Sequence, residues 1–410
     1  MALNTVSSDR LSTNVKNTNF TSSEKQDLTN DLKPLLAVQD FADDITPLLG
    51  ASGGGNKNLI INGAMQVAQR GTSSTDLYYQ TIDRYRTSYG NIGSVALTQS
   101  QQQLTSSDTP YSSGFRYFYR AALAGAGSVN TNGFIGISQR IEAGDIAQSG
   151  WNYTSASSNI TIQFWFRCST NQTFYMALTS QDGTSQSYIF AFTASGNNTW
   201  TKITKTIPGA ANVQFDTDTP ANAADRGLTV SFTPWYGTDY TGSKTVDAWS
   251  AYDNTAEYPD YASTWLTAGA STFDITGVQL EVGSVATDFE HRSFGHEISL
   301  CERYFQRIPR NPSDGYGGIC NGRANDGTTS ELIITFPEMR AAPAIAGSGN
   351  LRILHGGGAK AVTSGPTLIH GAKTTAFFSA TVASGLTAGQ ANQLTMNNDA
   401  TAHITLTAEI

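Results

Sequence analysis

Cysteine is nearly absent from this chain: three thiols, Cys168, Cys301 and Cys320, occur in 410 residues, with no Cys-x-x-Cys pair. So odd and widely spaced a set supplies neither a disulfide framework nor a readable zinc site, and it suits assembly in a reducing cytosol. Charge is scarce too, at 14%, and it leans acidic, for a formal net charge of −8 with no cluster of Lys and Arg. A surface built to neutralise phosphates has the opposite balance, so nucleic acid is not an expected partner. No run of about 18 apolar residues occurs, and residues 1–20 lack a basic stretch followed by an apolar one. The sequence predicts neither a membrane span nor a signal peptide; a protein of this kind that works outside cells leaves by lysis or aboard a particle.

What is present is glycine, 39 of them, with many Ser, Thr, Asn and Gln, a composition for short strands and tight turns. Residues 1–55 stand apart. Thr21-Ser-Ser-Glu24 is a capping-box pattern ahead of Leu28, Leu32, Leu35 and Leu36. Pro34 and Pro47 interrupt the helical run and leave Phe41, Ile45 and Leu48 on pieces too small to bury them alone. Two readings stand: a frayed arm, or a segment for docking and oligomerisation. Ser52-Gly-Gly-Gly55 then reads as a flexible joint.

Strand-length runs fill residues 56–292, among them Phe134-Ile-Gly-Ile137, Ile160-Thr-Ile-Gln-Phe-Trp-Phe166, Tyr188-Ile-Phe-Ala-Phe192, Leu228-Thr-Val-Ser-Phe232 and Phe273-Asp-Ile-Thr-Gly-Val-Gln-Leu280. About nine such segments suit a two-sheet jelly roll, in which each sheet buries one face against the other. Residues 233–265 break the pattern as a long aromatic loop. Residues 293–309 carry Ile298, Cys301, Tyr304 and Phe305 at helical spacing and read as a linking helix. Residues 310–410 return to strands. The expected fold is all-β: an antiparallel sandwich with a short N-terminal helical arm and a smaller C-terminal β domain.

Two segments resemble a pattern of phage tail-fibre and related virion proteins. They are Asn58-Leu-Ile-Ile-Asn-Gly-Ala-Met-Gln-Val-Ala-Gln-Arg-Gly71 and Gly277-Val-Gln-Leu-Glu-Val-Gly-Ser-Val-Ala-Thr-Asp-Phe-Glu-His-Arg-Ser-Phe294, the latter running on to Leu300-Cys-Glu-Arg-Tyr-Phe305. Asp83-Arg-Tyr85, Ile137-Ser-Gln-Arg-Ile-Glu142, Phe164-Trp-Phe166 and Thr199-Trp-Thr201 fall between them in the same order. The resemblance implies a jelly roll like that of carbohydrate-binding modules, followed by a variable host-contacting domain whose start Thr335-Phe-Pro-Glu-Met-Arg340 resembles. It also implies a homo-oligomer, a trimer, located in the virion tail after assembly in the host cytoplasm, with other tail proteins as partners. In physical terms these residues read as scaffold: Asn62-Gly63 enters a turn, Val278, Leu280 and Val282 point inward, and Gln279, Glu281, Arg140 and Glu142 form cross-strand pairs.

For catalysis the sequence supplies only possibilities. Asp216, Asp218, Asp239, Asp247, Asp253 and Asp260 could place paired acids beside the aromatic loop, but Asp is a standard turn residue in so turn-rich a region, so no enzyme and no cofactor are expected. Asp216, Asp218 and Asp225 form a weak calcium cluster that solvated turns explain better, and His291 and His296 lack zinc-helix spacing. Sugars stack apolar faces on aromatic rings, which makes Trp235, Tyr236, Tyr240 and Trp249 glycan-binding candidates, with Tyr316 and His355 on C-terminal loops. The competing reading is that these aromatics cover a sheet edge or a neighbouring subunit. The arm's Leu28, Leu32, Leu35, Leu36, Phe41, Ile45 and Leu48 are the virion-docking candidates. The expected function is a tail-fibre subunit held to the virion by its arm and recognising a host-surface glycan through its C-terminal domain. A structural adaptor or capsid decoration is the alternative, and a polysaccharide depolymerase the weakest.

Overall fold

A computed structural model describes residues 57–215, 225–310 and 312–410. Its first strands are β1 (Ser73–Ser74), β2 (Arg86–Gly90), β3 (Leu97–Gln103), β4 (Tyr117–Leu123), β5 (Phe134–Glu142) and β6 (Asn159–Cys168). β7 (Phe174–Ser180), β8 (Gln186–Phe192), β9 (Thr201–Pro208), β10 (Arg226–Tyr236), β11 (Trp249–Ala251) and β12 (Ser271–Val282) complete a sandwich. One sheet runs β1-β3-β4-β12-β6-β9 and the other β11-β8-β7-β10-β5-β2, antiparallel throughout. The chain is all-β, as its alternating runs predict.

Period-two alternation builds the core. Ile160, Ile162, Phe164, Phe166 and Cys168, every second residue of β6, are all fully buried. They meet the inner residues of β8, β10 and β12: Phe164 lies edge-on 5.0 Å from Phe232, Phe166 edge-on 4.9 Å from Phe192, and Phe166 tilted 4.8 Å from Phe273. Each ring stabilises by roughly 1.5–3 kcal/mol through burial, with a further contribution from these aromatic geometries.

The two segments that carry the family resemblance touch. Leu59 N–H donates to Leu280 O, Val278 N–H to Gly63 O, and Asn58 Nδ2 to Val278 O, at 2.9, 3.0 and 3.0 Å. Gly63 is required here because a Cβ would lie 2.1 Å from the Val278 carbonyl oxygen. Asn62, at φ 59°, takes the left-handed conformation expected of it, and its side chain ties Val67 O and Asp83 O.

Three local expectations need correction. Val282 is exposed, unlike Val278 and Leu280, because β12 is ending there. Gln279 and Glu281 are buried, since residues 283–292 fold back over them: Glu281 accepts from Thr287 N and Oγ1, and Gln279 from Glu290 N. Alternation gives the face of a side chain but not what covers that face. The helix spans only Phe294–Glu302, capped by Ser293, and Phe305–Ile308 is a strand.

That strand is β13. After it come β14 (Gly318–Ala324), β15 (Thr329–Thr335), β16 (Ala344–Ser348), β17 (Leu351–His355), β18 (Gly358–Gly371), β19 (Thr375–Val382), β20 (Ala391–Met396) and β21 (His403–Thr407). Six of them close a barrel in the order β14-β15-β19-β18-β17-β20, and β21 lies between β13 and β16 in a three-stranded sheet.

Residues beyond β21 return to the sandwich and form an ionic seam. Glu409 binds Arg84 and, at 2.9 Å, Arg70. The guanidinium of Arg84 lies 3.4 Å over the Tyr304 ring, and that of Arg70 3.6 Å over Phe305. Glu142 takes a two-pronged contact from Arg303 at 2.7 and 2.6 Å and accepts from Tyr304 Oη, so it is a seam residue and not a cross-strand pair.

Buried Asp83 adds a pH dependence to this region. Burial outweighs the nearby Arg70 and the Gln69 hydrogen bonds and raises its carboxyl to about 6. A group that ionises near 3.8 in the unfolded chain and near 6 in the native one binds its proton more tightly when folded. Its contribution to stability is therefore greatest below about pH 4 and declines by roughly 3 kcal/mol as pH rises to about 6. Asp83→Asn is expected to flatten that slope in urea-unfolding midpoints across the window; an unchanged slope would assign the pH dependence to other groups.

Candidate functional site

The outward face of the second sheet carries a groove of about 490 Å³. Its floor follows from strand register. On β5 the outward positions are Phe134, Gly136, Ser138 and Arg140; opposite them lie Ser88 and Arg86 of β2 on one side, and Ser231 and Thr229 of β10 on the other. These side chains are short along the centre, which is what leaves a depression. One wall comes from Tyr78 and Tyr89, and the other from Tyr236, Tyr252, Glu257 and Tyr258.

The second wall is the aromatic excursion. Buried Tyr258 seats it on Ala177 and Ile189, and Tyr236 lies 4.9 Å from Tyr258 and 5.8 Å from Tyr240. The excursion covers the outward face of β7 and β8 and leaves the β2, β5 and β10 side open. Tyr78 and Tyr252 keep 48% and 41% of their surfaces exposed, so each offers a ring face to a ligand. Burial raises Glu257 above the usual carboxylate range, opposed by its hydrogen bond with Tyr252. Also in the groove, burial and then repulsion from Arg140 lower Arg86 below the usual guanidinium value, and Arg226 is lowered by the same effects.

Of the candidates read from sequence, Tyr236 alone lines this groove. Trp235 is 2% exposed: a bulge between Phe232 and Trp235 turns it into the core, where it meets Gly133, so it offers no ring to a sugar. Adjacent strand residues point to opposite faces, so Trp235 and Tyr236 cannot serve one platform. Tyr240 packs edge-on against Phe134, and half-buried Trp249 lies 5.6 Å from Tyr188 while its Nε1 donates to Pro208 O at 2.7 Å. Tyr316 is exposed on the barrel with Arg352 over its ring, and His355 Nδ1 accepts from Gly357 N–H in the turn after β17.

Leu28, Leu32, Leu35, Leu36, Phe41, Ile45, Leu48, Asp216 and Asp218 lie outside the described residues. Asp225 faces Arg340 at 3.7 Å, and its carbonyl accepts from Ala143 N–H. Among the described residues no group of three or more His, Cys, Asp or Glu can hold a metal, and no helix is long and apolar enough to cross a membrane. Cys168, Cys301 and Cys320 are buried and unpaired.

Sequence reasoning missed Arg86, Ser88, Ser138, Thr229 and Ser231, and took Arg140 for a charge pair. A signal existed: Phe134-x-Gly136-x-Ser138-x-Arg140 and Thr229-x-Ser231-x-Thr233 are outward faces of small polar residues, too short to hide the sheet beneath them.

No family model matches the chain, and no curated protein does. Solved structures similar to it include the enzymatically active domain of bacteriophage CBA120 tailspike protein 4, at 9% identity and TM-score 0.28, covering 55% of this chain. The chain spans 22% of that tailspike structure's length. The family 11 carbohydrate-binding module of a cellulosomal cellulase from Clostridium thermocellum is 11% identical at TM-score 0.26, covering 54% of this chain and 98% of its own. The N-terminal cellulose-binding domain of a β-1,4-glucanase from Cellulomonas fimi is 14% identical, also at TM-score 0.26, with 54% and 99% covered. Scores this low establish no common fold, and the architecture described above rests on this chain's own sheets.

Proposed function

We propose that this protein is a saccharide-binding subunit of a phage virion and that it contacts host-surface glycan through the sheet-face groove. The observation that carries this reading is the groove itself: exposed Tyr78 and Tyr252 rings stand beside a floor of Ser88, Ser138, Ser231 and Thr229 hydroxyls. Ring faces suit the C–H surfaces of a sugar, and hydroxyls suit its polar edges. The virion setting rests on the resemblance of residues 58–71 and 277–305 to tail-fibre proteins. In this reading residues 1–55 attach the subunit to other tail proteins, residues 310–410 add host contact, and the working form is a homotrimer. Several weak sites on one particle then act together through effective concentration.

Titration calorimetry of the full chain with envelope polysaccharide fractions from the host tests the assignment. Tyr252→Ala and Ser138→Trp, the latter filling the floor, are each expected to weaken binding about tenfold or more while leaving the unfolding midpoint in place. Binding untouched by both would move the contact to another surface, and no binding to any fraction would favour the structural adaptor.

A further inference from the structure

The groove is uneven in charge. Arg86 and Arg140 sit on neighbouring strands, with Arg86 opposite Ser138, the next outward residue along β5 from Arg140. Arg226 starts β10 at the same end, opposite Glu142. Nine of the fifteen described arginines rest against carboxylates, among them Arg70 and Arg84 on Glu409, Arg120 and Arg167 on Asp274, and Arg303 on Glu142. Arg86 and Arg226 have no such partner among the described residues. Arg86 instead lies 4.2 Å over the Tyr78 ring and donates to Ser88, while Arg140 Nη1 donates to the Ile410 backbone oxygen.

Two further groups point the same way. Arg140 Nε and Thr229 Oγ1, opposite each other across the β5–β10 pair, are buried and have no hydrogen-bond partner. Among the described residues Glu257 is the one carboxylate that lines the groove, and Tyr252 hydrogen-bonds it. Among the described residues, Arg86 and Arg226 against the single carboxylate of Glu257 leave an excess of positive charge in a protein whose formal charge is −8. Guanidinium groups that gather without a counter-charge, beside unsatisfied donors, are suited to a ligand that brings its own anion.

We infer that the groove selects acidic saccharides, with Arg226 and Arg86 receiving a sugar carboxylate while Tyr78 and Tyr252 stack on the ring faces. The inference rests on the saccharide reading above and names the chemical class of its ligand. A uronic or sialic acid unit fits both halves: a planar anion for the fork of an arginine, and an apolar face for a tyrosine.

The test measures the full chain against oligogalacturonate, alginate oligomers, oligo-α2,8-sialic acid and hyaluronan tetrasaccharide, each beside its carboxyl-reduced counterpart, with a short oligothymidylate as a separate anion. At least one acidic probe is expected to bind about tenfold tighter than its reduced form, with the difference shrinking as salt is added. Arg226→Gln and Arg86→Gln should each shrink that acid-to-neutral ratio, and Ser138→Trp should abolish binding of both forms. Equal binding of both forms, or a ratio unmoved by the two arginine variants, overturns the charge selectivity and leaves the saccharide reading standing. Binding of neither form of any probe overturns both, as does binding of oligothymidylate alone.

Discussion

Glu409→Ala is expected to cost about 3–5 kcal/mol of stability, the range for removing one partner of a buried ion pair. The side chains of Arg84 and Glu409 are 1% and 7% exposed, so the substitution leaves a guanidinium in a dry environment with the Tyr304 ring over it and the Arg140 carbonyl as its remaining acceptor. Arg70 loses its 2.9 Å partner at the same time. Equilibrium urea unfolding of Glu409→Ala, Arg84→Met and the Arg84→Met/Glu409→Leu pair separates attraction from desolvation. The double variant should recover the part of the loss that belongs to Arg84, because an apolar pair of similar volume replaces that ion pair, while Arg70 keeps Asp83 at 3.9 Å. If each single substitution costs less than about 1 kcal/mol, water reaches the seam and the charges are not buried in solution.

Trp235→Ala is expected to be comparably destabilising, at about 3–5 kcal/mol, through the cavity left by a large buried ring. Any weakening of glycan binding should then follow the folded fraction, and binding per folded molecule should be retained. Tyr252→Ala is the mirror case, with stability within about 0.5 kcal/mol of the parent chain and the proposed glycan binding weakened about tenfold or more. Thermal unfolding and calorimetry on both variants check the contrast. A stable Trp235→Ala that fails to bind would restore this tryptophan to the binding surface and refute its burial.

That contrast marks where sequence ceased to be informative. Core strands were legible because β6 repeats apolar residues at every second position and both sheets bury the same kind of face. The turn at Asn62-Gly63 was legible too, since few residues accept a positive φ. β2 was not: Arg86-Thr-Ser-Tyr-Gly90 has little apolar alternation to announce a strand at a sheet edge. The groove was hidden for a different reason. Its residues run from Tyr78 to Tyr258 along the chain and meet only through strand register and through the seating of a loop on Ala177 and Ile189. Composition drew attention to tryptophans, whereas the exposed rings are tyrosines, and the tryptophan beside Tyr236 is turned inward by one bulge.

The ionic seam also sets a timetable for the newly made chain. Arg84 and Glu409 are 325 residues apart in sequence. At ordinary rates of protein synthesis the arginine emerges roughly 15–65 s before its partner exists. During that interval the sandwich can collapse around its aromatic core while a guanidinium and the Tyr304 and Phe305 rings wait at an unfinished edge. A ribosome-bound or prematurely released chain would expose that edge to chaperones and to other nascent copies. Only the synthesis of Glu409, two residues beyond β21, would then close that edge.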